Sequence, residues 1–115
     1  MAQPASTEPL EMITIIVQRG MGNTVAKAAI DAGAQAATIF FGRGTGVRER
    51  LKFFGIAIHP EKEVLFTVVP QSISDKVYDA MAKAGRLHEP GMGFIFTQDI
   101  RRATGWISED LKTVT

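Results

Sequence analysis

MITIIVQRGMGNTVAKAAIDAGAQAATIFFG, residues 12–42, is the stretch whose reading decides the fold. Its first seven residues are rich in β-branched side chains and apolar at both odd and even positions. That reads as a strand buried on both faces. RGMGN then breaks the run. Asn23 or Thr24 is placed to cap a helix, because a short side-chain oxygen can accept from the first free amides. Val25, Ala28, Ala29 and Ala32 follow at i, i+3, i+4 and i+7, one face of a helix. Gly33 is a helix stop, and AATIFFG, residues 36–42, reads as a second strand.

The same unit recurs downstream. FFGIAIHPEKEVLFTVVP, residues 53–70, reads as two strands joined by a turn at His59-Pro60-Glu61-Lys62. Ser72 or Ser74 is placed to cap a second helix, with Ile73, Val77, Ala80, Met81 and Ala84 on its apolar face. GRLHEPGMG, residues 85–93, ends that helix, and FIFTQDI is a last strand. Two strand–helix–strand units predict the α+β class. The expected architecture is a ferredoxin-like βαβ-βαβ antiparallel sheet with both helices on one face. Such a sheet has one bare face. Strands apolar on both sides, such as MITIIV and EVLFTVV, require cover there. In a chain of 115 residues the expected cover is other copies of the chain. Residues 1–11 read as a loose N-terminal tail, 12–105 as the folded domain and 106–115 as a C-terminal tail.

Composition narrows the function. A net charge of +1 gives no broad basic field, so nucleic acid is not an expected partner. No apolar run is long enough to span a bilayer, and the polar opening MAQPASTEPLE lacks the apolar core of a secretory signal. The expectation is a cytoplasmic protein with no direct membrane insertion. There is no cysteine, and His59 and His88 are isolated in loops, so no metal-ligand set is expected. The serines at 6, 72, 74 and 108 lie outside any nucleophile-elbow context, and no carboxylate pair or triad assembles. An enzyme is not expected.

The glycine-rich loops allow two readings. In GRLHEPGMG, glycine amides can face an anion with no side chain in the way, and Arg86 can add a two-pronged phosphate contact. The plain alternative is a helix stop at Gly85 and a turn at Pro90-Gly91. FFGRGTGVRER, residues 40–50, sets Arg43 between Gly42 and Gly44 where a strand opens into a loop, and Arg101-Arg102 follows the last strand. Three such loops at element ends are consistent with a polyphosphate site.

From about Met12 to Gly105 the chain resembles the PII signalling family, the trimeric nitrogen-regulatory proteins. Residues 13–44 look like that family's first strand, helix and second strand, with FFGRG standing where it has Gly-Phe-Gly-Arg-Gln. Residues 43–62 stand where it has its long T-loop. ISDKVYDAMAKAGRLHEPGMGFIF resembles the second helix, the B-loop (85–93 here) and the fourth strand. RRATG resembles its Arg-Ile-Arg-Thr-Gly segment. The resemblance implies a homotrimer that binds an adenine nucleotide (ATP, ADP or AMP) or another anionic effector in clefts between subunits. It also implies a regulated partner, a membrane transporter or an enzyme, engaged through the T-loop. Residue by residue, it implies ligand-binding roles for Gly42 and Arg43 at the T-loop base, Lys62, Gly85, Arg86, Gly91 and Gly93 in the B-loop, and Arg101 or Arg102. Arg48, Arg50 and Lys52 are the partner-facing cations and point to an acidic patch on the partner.

Departures from the family pattern refine the implication. Gly91-Met92-Gly93-Phe94 replaces Gly-Asp-Gly-Lys, so the phosphate-binding lysine is a phenylalanine. A lost charge-assisted contact costs about 1.5–3 kcal/mol, which favours ADP or AMP over Mg-ATP. Gly44 replaces the glutamine that helps hold Mg-ATP and 2-oxoglutarate, which argues against 2-oxoglutarate and leaves a role for magnesium open. No tyrosine or serine lies between residues 43 and 62, so the family's covalent T-loop switches lack an acceptor. The rival readings are a trimeric metal-responsive protein of the CutA type, against which the absent cysteine and isolated histidines count; an adaptor that has lost its effector; and a small enzyme on a dimeric α+β barrel.

Overall fold

Along Leu10–Gln18, neighbouring side chains meet opposite environments. Ile13, Ile15 and Val17 are fully buried on one face, whereas on the other Met12 and Ile16 are half-buried, with Thr14 buried between them. That alternation organises the molecule. The chain runs β1 (Ala2–Gln3), β2 (Leu10–Gln18), α1 (Gly22–Asp31), β3 (Thr38–Arg43), β4 (Glu61–Pro70), α2 (Gln71–Ala84), β5 (Gly93–Ile100) and β6 (Ile107–Ser108). A computed structural model describes residues 8–44 and 61–105 together with the backbone pairing of β1 and β6. Arg48, Arg50, Lys52, the expected strand at 53–58 and His59-Pro60 lie outside the described residues.

β3, β4, β2 and β5 form one antiparallel sheet in that order, the ferredoxin-like arrangement. Both helices pack on one face. Ile13, Ile15 and Val17 from β2 and Leu65 and Val69 from β4 meet Val25 and Ala29 of α1 and Val77 and Met81 of α2, all buried. No helix among the described residues is long and apolar enough to cross a membrane.

The helix starts differ from the sequence expectation. Neither Asn23 nor Thr24 caps α1; the cap position is Met21, with no side-chain hydrogen bond. The acceptor comes from across the sheet instead. The buried Glu63 carboxylate takes the Gly20 amide at 2.8 Å on Oε2 and the Gly22 amide at 2.7 Å on Oε1. A carboxylate there also suits the positive end of the helix dipole. A Cβ at Gly22 would overlap Glu63 Oε1, so this glycine makes room for the cap. α2 begins after Pro70, also without a side-chain cap. Ser74 is not a cap: its hydroxyl donates to Glu11 Oε1 at 2.5 Å. β4 begins at Glu61, so Glu61 and Lys62, expected in a turn, lie in the ladder opposite Arg43 and Gly42.

Among the described residues the other sheet face has no helix. Register aligns Phe40, Val64, Ile16 and Phe94 in one row across all four strands, and Thr38, Phe66, Thr14 and Phe96 in the next. Phe40 meets Phe66 edge-on at 6.3 Å, and Phe94 lies 5.8 Å from Phe96. Phe40 and Phe94 nevertheless stay 48% and 63% exposed. This is an apolar surface that no other described segment of the chain covers.

Candidate functional site

One end of the sheet gathers most of the residues expected to bind a ligand. In the ladder Gly42 faces Lys62, Lys62 faces Gln18, and Val17 faces Gly93. The base of the 43–62 loop, Lys62 and the 85–93 loop therefore share that end, each delivered by a strand terminus. Side chains tie the end together. Gln18 Nε2 donates to the Gly91 carbonyl at 2.7 Å, and Arg19 pairs with Glu61. Gly44 lies against the Lys62 side chain, its Cβ position 3.5 Å from Lys62 Cγ. Arg43 is exposed beside them.

The 85–93 loop has a defined construction. Gly85 is the helix cap but keeps φ −80. A Cβ on it would press at 3.2 Å on Ile15 and Val17, so packing accounts for this glycine. The left-handed position falls one residue later, on Arg86 at φ +58. The Arg86 amide donates to Lys83 O and the Leu87 amide to Ala82 O, both at 3.1 Å, the paired bonds that end a helix in a left-handed residue. Glycine usually fills that position, and an ordinary residue there costs about 1–2 kcal/mol. Met92 N then closes a turn onto Glu89 O, with Gly91 at φ +80 after Pro90, as the sequence expects. Gly93, at φ +148, has a different reason: a Cβ would overlap the Ile16 carbonyl oxygen where β5 joins β2.

Arg86 does not point free into solvent. Its Nε reaches Glu89 Oε2 at 3.0 Å and its terminal nitrogen reaches Oε1 at 2.7 Å, a two-pronged pair. Hydrogen bonding from Arg86 holds the Glu89 carboxyl below its ordinary pKa, and the same bond raises that of the guanidinium. His88 Nε2 stands 3.6 Å from Glu89 Oε2.

Arg101 and Arg102 are elsewhere. Ile100 pairs with Leu10, at the opposite end of β5 from Gly93. At the rise of a strand that separation is about 24 Å, and both arginines are exposed. One subunit therefore brings Gly42, Arg43, Lys62, Gly85, Arg86, Gly91 and Gly93 to one end and leaves Arg101 and Arg102 at the other.

Three participants escaped the sequence reading. Glu89 as the partner of Arg86 was signalled by the i, i+3 spacing. Glu63 as a cap and Gln18 as a tie to Gly91 are contacts between distant segments with no local signal. Phe94, which stands where the resembled family has a lysine, lies in the apolar row of the bare face beside Ile16. Among the described residues no group of three His, Asp or Glu side chains could hold a metal ion.

A family model described as nitrogen regulatory protein P-II matches residues 10–106, most of the chain. No curated protein matches. Among solved structures, a PII from Arabidopsis thaliana bound to citrate is similar over 81% of this chain and 78% of its own, with TM-score 0.64 and 22% identity. A Bacillus cereus protein related to NIF3 is similar over 90% of this chain, with TM-score 0.65 and 23% identity. This chain spans 29% of that protein's length.

Proposed function

The chain belongs to the nitrogen regulatory protein P-II family, and from that premise we propose that it is a cytoplasmic, trimeric signal-transduction protein that binds an adenine nucleotide between subunits. Its loop at 43–62 then engages a regulated transporter or enzyme through Arg48, Arg50 and Lys52. It catalyses no reaction.

The observation that carries this reading is the division of cations along the sheet. Arg43, Lys62 and Arg86 share one end with the 85–93 loop, while Arg101 and Arg102 lie about 24 Å away. A nucleotide phosphate chain is far shorter than that, so one ligand meets both groups only where two subunits adjoin. The bare apolar face supplies the means. Burying a phenylalanine such as Phe40 or Phe94 contributes about 1.5–3 kcal/mol, which favours packing of copies against it. The citrate held by the Arabidopsis PII shows a small polyanion on a protein of this fold.

ADP or AMP is the preferred ligand. Phe94 supplies no charge for a terminal phosphate, and Gly44 supplies no side chain to help hold magnesium or 2-oxoglutarate. Phe94 equally favours a second reading, a trimeric adaptor without nucleotide. Calorimetric titration with ATP, ADP and AMP, with and without magnesium, separates the two. Micromolar binding of ADP or AMP, lost in Arg43→Ala and Gly91→Val, supports the nucleotide reading. ATP tightest of the three removes the stated preference, and no heat with any of them leaves the adaptor.

A further inference from the structure

We propose that Glu89 is a built-in anion that occupies Arg86 until a ligand phosphate displaces it, so that the 85–93 loop blocks itself when empty. The inference rests on the nucleotide reading of this loop and adds its regulation.

Two independent features meet here. The first is the backbone of Arg86, the one described non-glycine residue at positive φ, at a helix-stop position that glycine would fill without strain. Strain kept at one residue is a pointer to a task for its side chain. The second is the pairing itself. Nε and a terminal nitrogen of one guanidinium grip both oxygens of one carboxylate, at 3.0 and 2.7 Å. Those are the donors a phosphate would take in the same planar fork.

The backbone of Glu89 is held beside Arg86. Its amide donates to Arg86 O at 3.0 Å, its carbonyl accepts from Met92, and Pro90 follows it. The carboxylate therefore presents a high local concentration of anion to Arg86, and an incoming phosphate competes with it. The displaced carboxylate has a second partner in His88, whose Nε2 is 3.6 Å away. The pair is half-exposed, so the block is modest and reversible.

The test is calorimetric titration of ADP into the full-length wild type, Glu89→Gln, Arg86→Gly and, as a remote control, Asp31→Asn, which removes the exposed Lys27–Asp31 pair. Glu89→Gln is expected to bind ADP about two- to fivefold more tightly than wild type. Arg86→Gly is expected to bind more weakly while melting at the same or a higher temperature, because glycine suits the left-handed position. Asp31→Asn is expected to match wild type. Binding that appears only in Glu89→Gln also supports the block. Equal affinity of wild type and Glu89→Gln, with Arg86→Gly weaker, overturns the block and leaves the nucleotide reading standing. Equal affinity of Arg86→Gly and wild type overturns the block as well. No heat from ADP in either wild type or Glu89→Gln overturns both.

Discussion

Ile15 and Ile16 are neighbours in β2 with the same side chain, and the sheet gives them opposite surroundings. Ile15 is sealed under the helices; Ile16 joins Phe40, Val64 and Phe94 on a face that no other described segment covers. The difference separates two tasks in one strand. The odd positions hold the single chain together. The even positions Met12 and Ile16 are more apolar than a solvated sheet face needs, and they make sense once copies of the chain pack there.

The largest expected effect tests the closed face. Ile15→Ala leaves a cavity among fully buried neighbours and is expected to cost about 2–5 kcal/mol in urea denaturation. Ile16→Ala should cost clearly less at low protein concentration. Equal losses for the two at low concentration would break the comparison.

Phe66→Asp addresses the open face. It puts a charge into the middle of the apolar rows, beside Phe40. The proposed trimer is expected to fall to monomer mass in light scattering while the circular dichroism of the helices and strands remains. An unchanged mass would mean that copies do not pack on this face.

A smaller effect is expected at Glu63, where the closed face also supplies the cap of α1. Glu63→Ala leaves the Gly20 and Gly22 amides without their acceptor and is expected to cost about 1–2 kcal/mol, read as a lower melting temperature. The smallest lies on the outer surface of α1. Lys27→Ala removes an exposed i, i+4 pair with Asp31 and should leave the melting temperature within error of wild type. A loss as large as that of Glu63→Ala would show that the outer helix surface is not simply solvated.

The fold was legible because two periodicities coexist in one chain. MITIIVQ and EVLFTVVP read as strands apolar on both sides, and the helix spacing of Val25, Ala29, Val77 and Met81 points to the helix faces that are buried. What stayed illegible involves contacts between distant segments. Nothing near Gly22 announces that its cap is Glu63, 41 residues away. Nothing in GRLHEPGMG tells which residue takes the left-handed position; Gly85 was the natural expectation, but its contact with Ile15 and Val17 leaves that role to Arg86. The candidate site was legible as three loops. That two of them share one end of the sheet while Arg101 and Arg102 occupy the other is a matter of register, and only strand pairing reveals it.

The central claim is a site shared between subunits, and subunit mixing tests it most directly. Arg43→Ala and the double variant Arg101→Ala/Arg102→Ala would each be titrated with ADP alone, then unfolded together, refolded as mixed trimers and titrated again. The account predicts loss of binding in each variant alone and partial recovery in the mixture, where an intact Arg43 can face an intact Arg101–Arg102 pair from a neighbour. Binding that stays absent in the mixture, while wild type treated the same way binds ADP, would contradict it.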